Sequence, residues 1–443
     1  MNLADLGAVQ LVQMIRDGET TSTELVKACL ERIEERENSV QAWQHLDPEF
    51  ALKQARQRDE VKASGQPLGA LHGIPVGIKD IFDTKDYPTE NGTVLDAGRE
   101  PLKDCMVVSL LKAEGAVIMG KTVTTEMAVF SPGKTRNPHD ETRTPGGSSS
   151  GSAAAVASGM VPLALGTQTK GSVIRPASFC GTVGYKPTHG RIPRTGALLL
   201  SRILDHVGVF ARSLEDVALI SECLMVDDML DPDTEPRAHP RLTEILNQPP
   251  AMTPRIAFVK TPMWDQADAQ TKEAFAEIAT ELGENCQEIT LPDEFGKVIE
   301  NIETIMTADL ARFLDKYMQR GADKISDVLR GMILAGQSVT AVDYNRAVDE
   351  IQPLRDWLGN LLEDYDAVMT PAAIGEAPKG LDKTGDPVFC SIWTYLGVPA
   401  LSLPMLEGLN GMPIGVQLVG ASGDDARLLR TARWLIGELS ADD

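Results

Sequence analysis

The run Gly146-Gly147-Ser148-Ser149-Ser150-Gly151-Ser152 sets four serines among glycines, and Lys79 closes the apolar run Ile74-Pro75-Val76-Gly77-Ile78. A serine hydroxyl becomes a nucleophile once a neighbouring base takes its proton. Glycine allows the backbone to approach a ligand closely. Two other chemistries fit the letters. Gly115-Ala116-Val117-Ile118-Met119-Gly120-Lys121-Thr122 has the spacing of a phosphate-binding loop. Such a loop needs a strand before it, free N–H groups and a helix after it. Here a helix is predicted before it, and Val-Ile-Met is strand material that would tie those groups up. Gly147-Ser148-Ser149-Ser150-Gly151 also matches a nucleophile elbow centred on Ser149, which requires a preceding strand and a later triad histidine. Residues His139 to Pro145 are polar and turn-like, and no histidine follows His239.

A lysine can replace the histidine if it is neutral. Burial lowers a lysine's pKa because desolvation disfavours the ammonium form. Lys79 ends an apolar strand, where partial burial would suit such a base, although a lysine at a strand end read by itself is more often on the surface.

The chain resembles the amidase signature family over most of its length. The resemblance runs from Leu71-His72-Gly73-Ile74-Pro75-Val76-Gly77-Ile78-Lys79-Asp80 to Gly411-Met412-Pro413-Ile414-Gly415-Val416-Gln417-Leu418-Val419-Gly420. Its centre is Pro145-Gly146-Gly147-Ser148-Ser149-Ser150-Gly151-Ser152, followed by Leu165-Gly166-Thr167-Gln168-Thr169-Lys170-Gly171-Ser172 and Arg175-Pro176-Ala177-Ser178. The resemblance implies a catalytic set of Lys79, Ser148 and Ser172, with Ser172 as acyl-forming nucleophile and Ser148 bridging after a cis peptide bond. It implies an oxyanion hole from the N–H groups of Thr169, Lys170, Gly171 and Ser172, and no metal or cofactor. The activity implied is hydrolysis of a small, carboxylate-bearing or neutral amide. An amidotransferase subunit that supplies ammonia within a complex, or an esterase or carbamate hydrolase, would use the same set.

Three positions depart from the commonest family pattern. Ser150 stands where Gly is usual, Gln168 where Asp is common, and Lys170 where Gly is usual. The Lys170 side chain is expected to block the pocket, to attract an acidic substrate or, as the favoured reading, to reach solvent. Arg175 is expected either to pair with Asp205 or a backbone carbonyl, or to clamp a substrate carboxylate. Ser149 and Arg175 are the substrate-binding candidates, with Ser149 also expected to orient its loop. His72, His189 and His206 read as structural.

The elements that must position these groups alternate. Thr21-Ser22-Thr23-Glu24 has capping-box spacing, with Leu25, Cys29 and Ile33 on one helical face. Asp47-Pro48-Glu49 begins another helix. Strands are predicted at 74–79, 116–119, 206–210, 256–259, 367–369, 400–403 and 416–419. Helices are predicted at 106–114, from Leu214, near 296–319 and 340–363, and from Asp424. The Gly/Ser-rich stretch 145–187 carries apolar segments that a linker does not need. Asp227 to Arg255 reads as an exposed connection. The alternation indicates an α/β fold, and the resemblance makes it one domain over 1–443 with a central mixed sheet covered by helices on both faces. Within it, 1–65 is a helical segment, 70–215 the signature core, 226–380 a substrate-shaping region and 381–443 the return to the core.

The formal net charge of −22 argues against nucleic acid or an anionic membrane surface as partner. Six scattered cysteines without a C-x-x-C pair read as reduced core residues. The first residues lack the pattern of a secretory signal, and no apolar run reaches the ~18 residues of a membrane span. The cytoplasm is the expected location. A small-molecule amide is the expected partner, and a homodimer stays open.

Overall fold

A computed structural model describes residues 2–440. Its strands are β1 (Trp43–Leu46), β2 (Pro75–Lys79), β3 (Val117–Thr122), β4 (Leu163–Gln168), β5 (Val183–Lys186), β6 (His206–Ala211), β7 (Ile256–Lys260), β8 (Cys286–Thr290), β9 (Ala367–Pro371), β10 (Ala400–Glu407) and β11 (Pro413–Val419). They form one sheet in the order β1-β3-β2-β4-β6-β5-β10-β11-β9-β7-β8. It is mixed: β2 is parallel to β3 and β4, and β7 to β8 and β9, whereas β6, β5, β10 and β11 run in antiparallel succession. Every residue of β2, β3, β6 and β9 is buried. A strand buried on both faces reads as a nearly continuous apolar run, which is why these segments were legible without alternation.

The N-terminal helices follow from local chemistry. Thr21 and Glu24 form a reciprocal capping box at the start of helix Ser22–Val40, whose buried face includes Leu25, Cys29 and Ile33. The Asp47 carboxylate accepts the Phe50 N–H and starts helix Pro48–Ala63, with proline in the first turn where its missing N–H costs nothing.

The structure differs from the sequence reading in several elements. Strands β4 and β5, inside the Gly/Ser-rich stretch 145–187, were not anticipated, and neither were the two edge strands β1 and β8. Their sequences, Trp-Gln-His-Leu and Cys-Gln-Glu-Ile-Thr, are half polar because one side of an edge strand meets solvent. Helices Ala269–Glu281, Asp327–Gly336 and Val388–Tyr395 were likewise not anticipated. The helix expected over 340–363 is two, Ala341–Asp349 and Ile351–Asp364. Pro353 explains the break. It lacks an N–H and fits only the first turn of the second helix. The stretch 227–255 is not wholly exposed either, because Asp231 is buried in an ion pair with Arg194 at 2.7 Å.

The topology brings one edge of the sheet to a focus. In register, Lys79 lies opposite Thr122 of β3, and Ile78 opposite Leu165 of β4. The C-terminal ends of β2, β3 and β4 therefore share one side, where loops of an open α/β sheet form sites. Helix Ser150–Ala157 packs across β2, β3 and β4 and carries the serine run to this edge. Gly151 makes that approach possible. A Cβ there would stand 2.3 Å from Ala42 O and 2.4 Å from Val123 N, both backbone atoms. Gly151→Ala should lower unfolding stability by about 3 kcal/mol, the upper range for an overpacked core, as read by urea denaturation. A loss under ~1 kcal/mol would show that helix Ser150–Ala157 can shift away from β3.

Candidate active site

Lys79 is fully buried, and its Nζ lies 2.8 Å from Ser148 Oγ and 2.8 Å from Thr167 Oγ1. Neither neighbour is a carboxylate. Desolvation therefore holds the amine well below the ordinary lysine value of 10.5, with the charge of Asp205 opposing it. Two other buried lysines show what is particular here. Lys121 pairs with Asp80 at 3.0 Å and donates to Phe82 O, so its phosphate-loop spacing is a strand end with an internal ion pair. Lys186 is pushed down to about 7 by burial, but it donates to the Val398 and Pro187 carbonyls. Of the three, only Lys79 joins a lowered pKa to a serine hydroxyl in the candidate serine run.

The Gly147–Ser148 peptide bond is cis, and Gly146 has φ +83°. A Cβ on Gly146 would meet Pro176 Cα at 2.8 Å, so this left-handed, tightly enclosed position suits glycine alone. Ser150 donates to Gly146 O at 2.8 Å and ties the turn across, which accounts for serine in place of glycine. Arg175 is buried. Its Nη2 donates to Gly147 O at 2.7 Å and to Thr384 Oγ1 at 3.2 Å. The backbone-carbonyl expectation for Arg175 is met, and the Asp205 pairing is not. Its Nε and Nη1 lack partners, and burial lowers the guanidinium to about 10. Ser149 sits behind the loop: fully buried, its Oγ accepts the Thr167 N–H and donates to Thr167 O, both at 3.3 Å. That location corrects the expectation of Ser149 at the substrate and fits its expected role in orienting the loop.

Residues 169–172 follow β4. Among the described residues, no protein acceptor takes the N–H of Thr169, Lys170, Gly171 or Ser172. Consecutive free N–H groups in a buried setting make a cradle for negative charge. Side chains do the work of holding this loop. Gln168 Oε1 accepts the N–H groups of Val173 and Ile174 at 2.8 and 3.0 Å, and its Nε2 donates to Thr394 Oγ1 at 2.9 Å. An aspartate could fill the acceptor role at this helix start. The amide adds the donor. Thr394 Oγ1 donates to Lys170 O at 2.7 Å, and Thr169 Oγ1 donates to Asp205 at 2.6 Å. Asp205 also accepts the N–H groups of Leu200 and Ser201. Ser172 is half-buried in this otherwise buried stretch, and its Oγ has no protein partner among the described residues.

Lys170 corrects an expectation. Its side chain is 9% exposed, pairs with Glu303 of helix Val298–Gly321, and lies over the Phe130 ring at 5.6 Å. It does not reach solvent, and its backbone is not left-handed. Thr167, Thr394 and Glu303 were not anticipated at the site. A threonine within the matched motif was signal enough for Thr167; nothing local marks residues more than a hundred positions away. His206 is buried, with Nδ1 2.7 Å from Leu204 O and its ring edge-on to His189, away from the serines. His45, Asp80 and Glu90 bring three ligand-type atoms together, but Asp80 already pairs with Lys121.

The burial of Lys79 has a thermodynamic consequence. Its folded value lies below its unfolded value, so the unfolded chain binds the extra proton there. Stability therefore rises with pH between the two values, at about 1.4 kcal/mol per pH unit. Lys79→Met, apolar and of similar length, should be more stable than the wild type at neutral pH, with the gap closing as pH approaches 10.5. Denaturant midpoints across that range check this; a variant less stable at every pH would mean that the Ser148 and Thr167 contacts outweigh desolvation.

The chain is similar in sequence and fold to known proteins. The Amidase family model matches residues 24–429. The A-type subunit of the glutamyl-tRNA(Gln) amidotransferase of Endomicrobium trichonymphae is 33% identical, with 95% of this chain and 94% of that protein covered. A chain from a vestigial complex that bears on the origins of an s-triazine catabolic enzyme superposes with a TM-score of 0.90 at 29% identity, over 98% of each chain. The native peptide amidase of Stenotrophomonas maltophilia superposes with a TM-score of 0.85 at 28% identity, over 98% of this chain and 97% of its own. Among the described residues, no helix is long and apolar enough to cross a membrane. A family model that spans nearly the whole chain, on a fold shared end to end with solved amidases, means that this chain belongs to the amidase family.

Proposed function

We propose that this amidase-family enzyme cleaves the C–N bond of a small amide through an acyl-enzyme on Ser172. The observation that supports it best is the buried Lys79 amine, without a carboxylate in contact, 2.8 Å from Ser148 Oγ. Neutral Lys79 takes the Ser148 proton as Ser148 takes that of Ser172. Ser172 Oγ then bonds to the amide carbon. The oxyanion is received by the N–H groups of residues 169–172, and one such donor contributes about 3–4 kcal/mol in related sites. The proton returns through Ser148 to the nitrogen as the C–N bond breaks, since an unprotonated amide anion leaves poorly. Water attacks the ester by the same relay and regenerates Ser172. Every proton in these steps comes from protein or water. No hydrogen bond joins the two serines here, and catalytic hydrogen bonds commonly tighten only once substrate is bound.

The fate of the ammonia separates two readings. Solved amidases with this fold support a hydrolase that works alone. The curated relatives, named as A-type amidotransferase subunits and 33 and 35% identical over most of both chains, give more support to the alternative. In that reading the chain releases ammonia from an amide for use by partner subunits, and a homodimer has no support from these relatives. Ammonia release by the purified chain, compared with release when co-purifying partners are retained, decides between them. Arg175, buried and bonded to Gly147 O, is read as holding the turn that presents Ser148 rather than as a clamp for a substrate carboxylate.

Ser172→Ala should abolish amide and ester hydrolysis while the folded signal is kept, and a fluorophosphonate adduct should map to Ser172 by mass spectrometry. An adduct on Ser149 would revive the elbow reading. Lys79→Ala should lose roughly a hundredfold more activity on amides than on matched esters, because an alkoxide needs less protonation to leave. Equal losses would remove Lys79 from proton return.

A further inference from the structure

A cleft of about 800 Å³ has Phe130, Lys170, Glu303 and Pro387 among its lining residues, and Lys170 stands two positions before Ser172. Its wall residue Pro387 packs against Gly171, where a Cβ would stand 2.7 Å from Pro387 Cβ. Anything reaching Ser172 through this cleft meets the Lys170–Glu303 pair. The two partners are unequally available. The Lys170 side chain is 9% exposed, covered by the Glu303 carboxylate and the Phe130 ring. The Glu303 side chain is 44% exposed. Only its Oε1 is engaged, and among the described residues Oε2 has no protein donor. The far wall adds no net sign, because Lys379 and Lys383 are balanced by Asp382 and Asp386, all four exposed. The net effect is one fixed acceptor, oriented by a lysine beneath it and next to an aromatic face.

We propose that Glu303 determines specificity, directing the cleft to amides that carry an ammonium group, as amino-acid amides do, rather than to amides that carry only a carboxylate. Lys170 is then a positioning residue, whose ammonium holds the Glu303 carboxylate over the cleft. The ligand's ammonium donates to Glu303 Oε2, and the Phe130 face adds cation–π attraction. The inference rests on Ser172 as nucleophile.

The test uses three amides of one chain length: ω-aminovaleramide, hexanamide and adipamate, cationic, neutral and anionic. The full chain, with any co-purifying partner kept, should show kcat/KM for ω-aminovaleramide at least about tenfold above hexanamide, with adipamate lowest; a hydrogen bond to a charged group is worth that much. Glu303→Gln should erase the cationic preference, whatever loss all three amides share because Lys170 is left unpaired. Lys170→Met should reduce the cationic preference without erasing it, since Glu303 keeps its charge but loses the partner that holds it. A wild-type preference for adipamate, or equal losses on all three amides in Glu303→Gln, would overturn the proposal. Fluorophosphonate labelling run in parallel separates the two levels of failure. Labelling of Ser172 with flat amide preference sinks this inference alone; no labelling and no cleavage sinks the nucleophile reading, and this inference with it.

Discussion

The structure is organised around one unfavourable act, the enclosure of the Lys79 amine without a counter-ion. An ammonium in a dry interior costs several kcal/mol, so burial favours the neutral amine. That outcome requires everything around it. β2 must lie between β3 and β4, so that the amine is screened from water on both sides. The nearest partners must be hydroxyls, because a carboxylate in contact would restore the charge, as Asp80 favours it at Lys121. Asp205 shows how fine the balance is. Its charge pulls Lys79 upward, yet it is held away from the amine, engaged with Thr169 Oγ1 and two backbone N–H groups.

The second constraint is backbone accounting. Buried N–H groups are almost always satisfied, and leaving four consecutive ones free is costly unless a ligand charge is to meet them. The loop 169–172 keeps them free because its shape is imposed through other atoms: the Gln168 amide, the Thr169 hydroxyl, the Lys170 carbonyl and the Lys170 ammonium. On the neighbouring loop, Arg175 on Gly147 O and Ser150 on Gly146 O serve the same end for the turn that presents Ser148. Side-chain chemistry thus fixes two backbone segments that secondary structure does not.

Much of this was legible in the linear chain. Short apolar runs bounded by turns marked β2, β3, β6, β7, β9, β10 and β11, whereas the central strands β4 and β5, rich in Gly, Thr and Ala, were not marked as strands. Lys79, Ser148 and Ser172 stood out through ordered motifs, although only the Lys79–Ser148 contact is formed here. Edge strands β1 and β8 escaped because half their residues face water, and helices Ala269–Glu281 and Asp327–Gly336 because their apolar stripes are narrow. Contacts such as Lys170 with Glu303 and Gln168 with Thr394 join residues more than a hundred positions apart. No local pattern encodes them; they exist only once the sheet closes.

Lys170 illustrates how such a long-range contact decides what a loop can contain. A lysine in place of glycine is costly if the backbone is left-handed, but here it is not, so any L-residue fits the main chain. The remaining difficulty is the side chain, whose ammonium enters a largely enclosed space. Glu303 answers that difficulty from helix Val298–Gly321, a segment of the variable region. Removing the carboxylate would leave a nearly buried cation unpaired, and removing the lysine would leave a carboxylate at the cleft without its anchor. Each residue therefore makes sense only with the other. In this way the charge lining the cleft is set by a pair that spans the signature core and the region outside it.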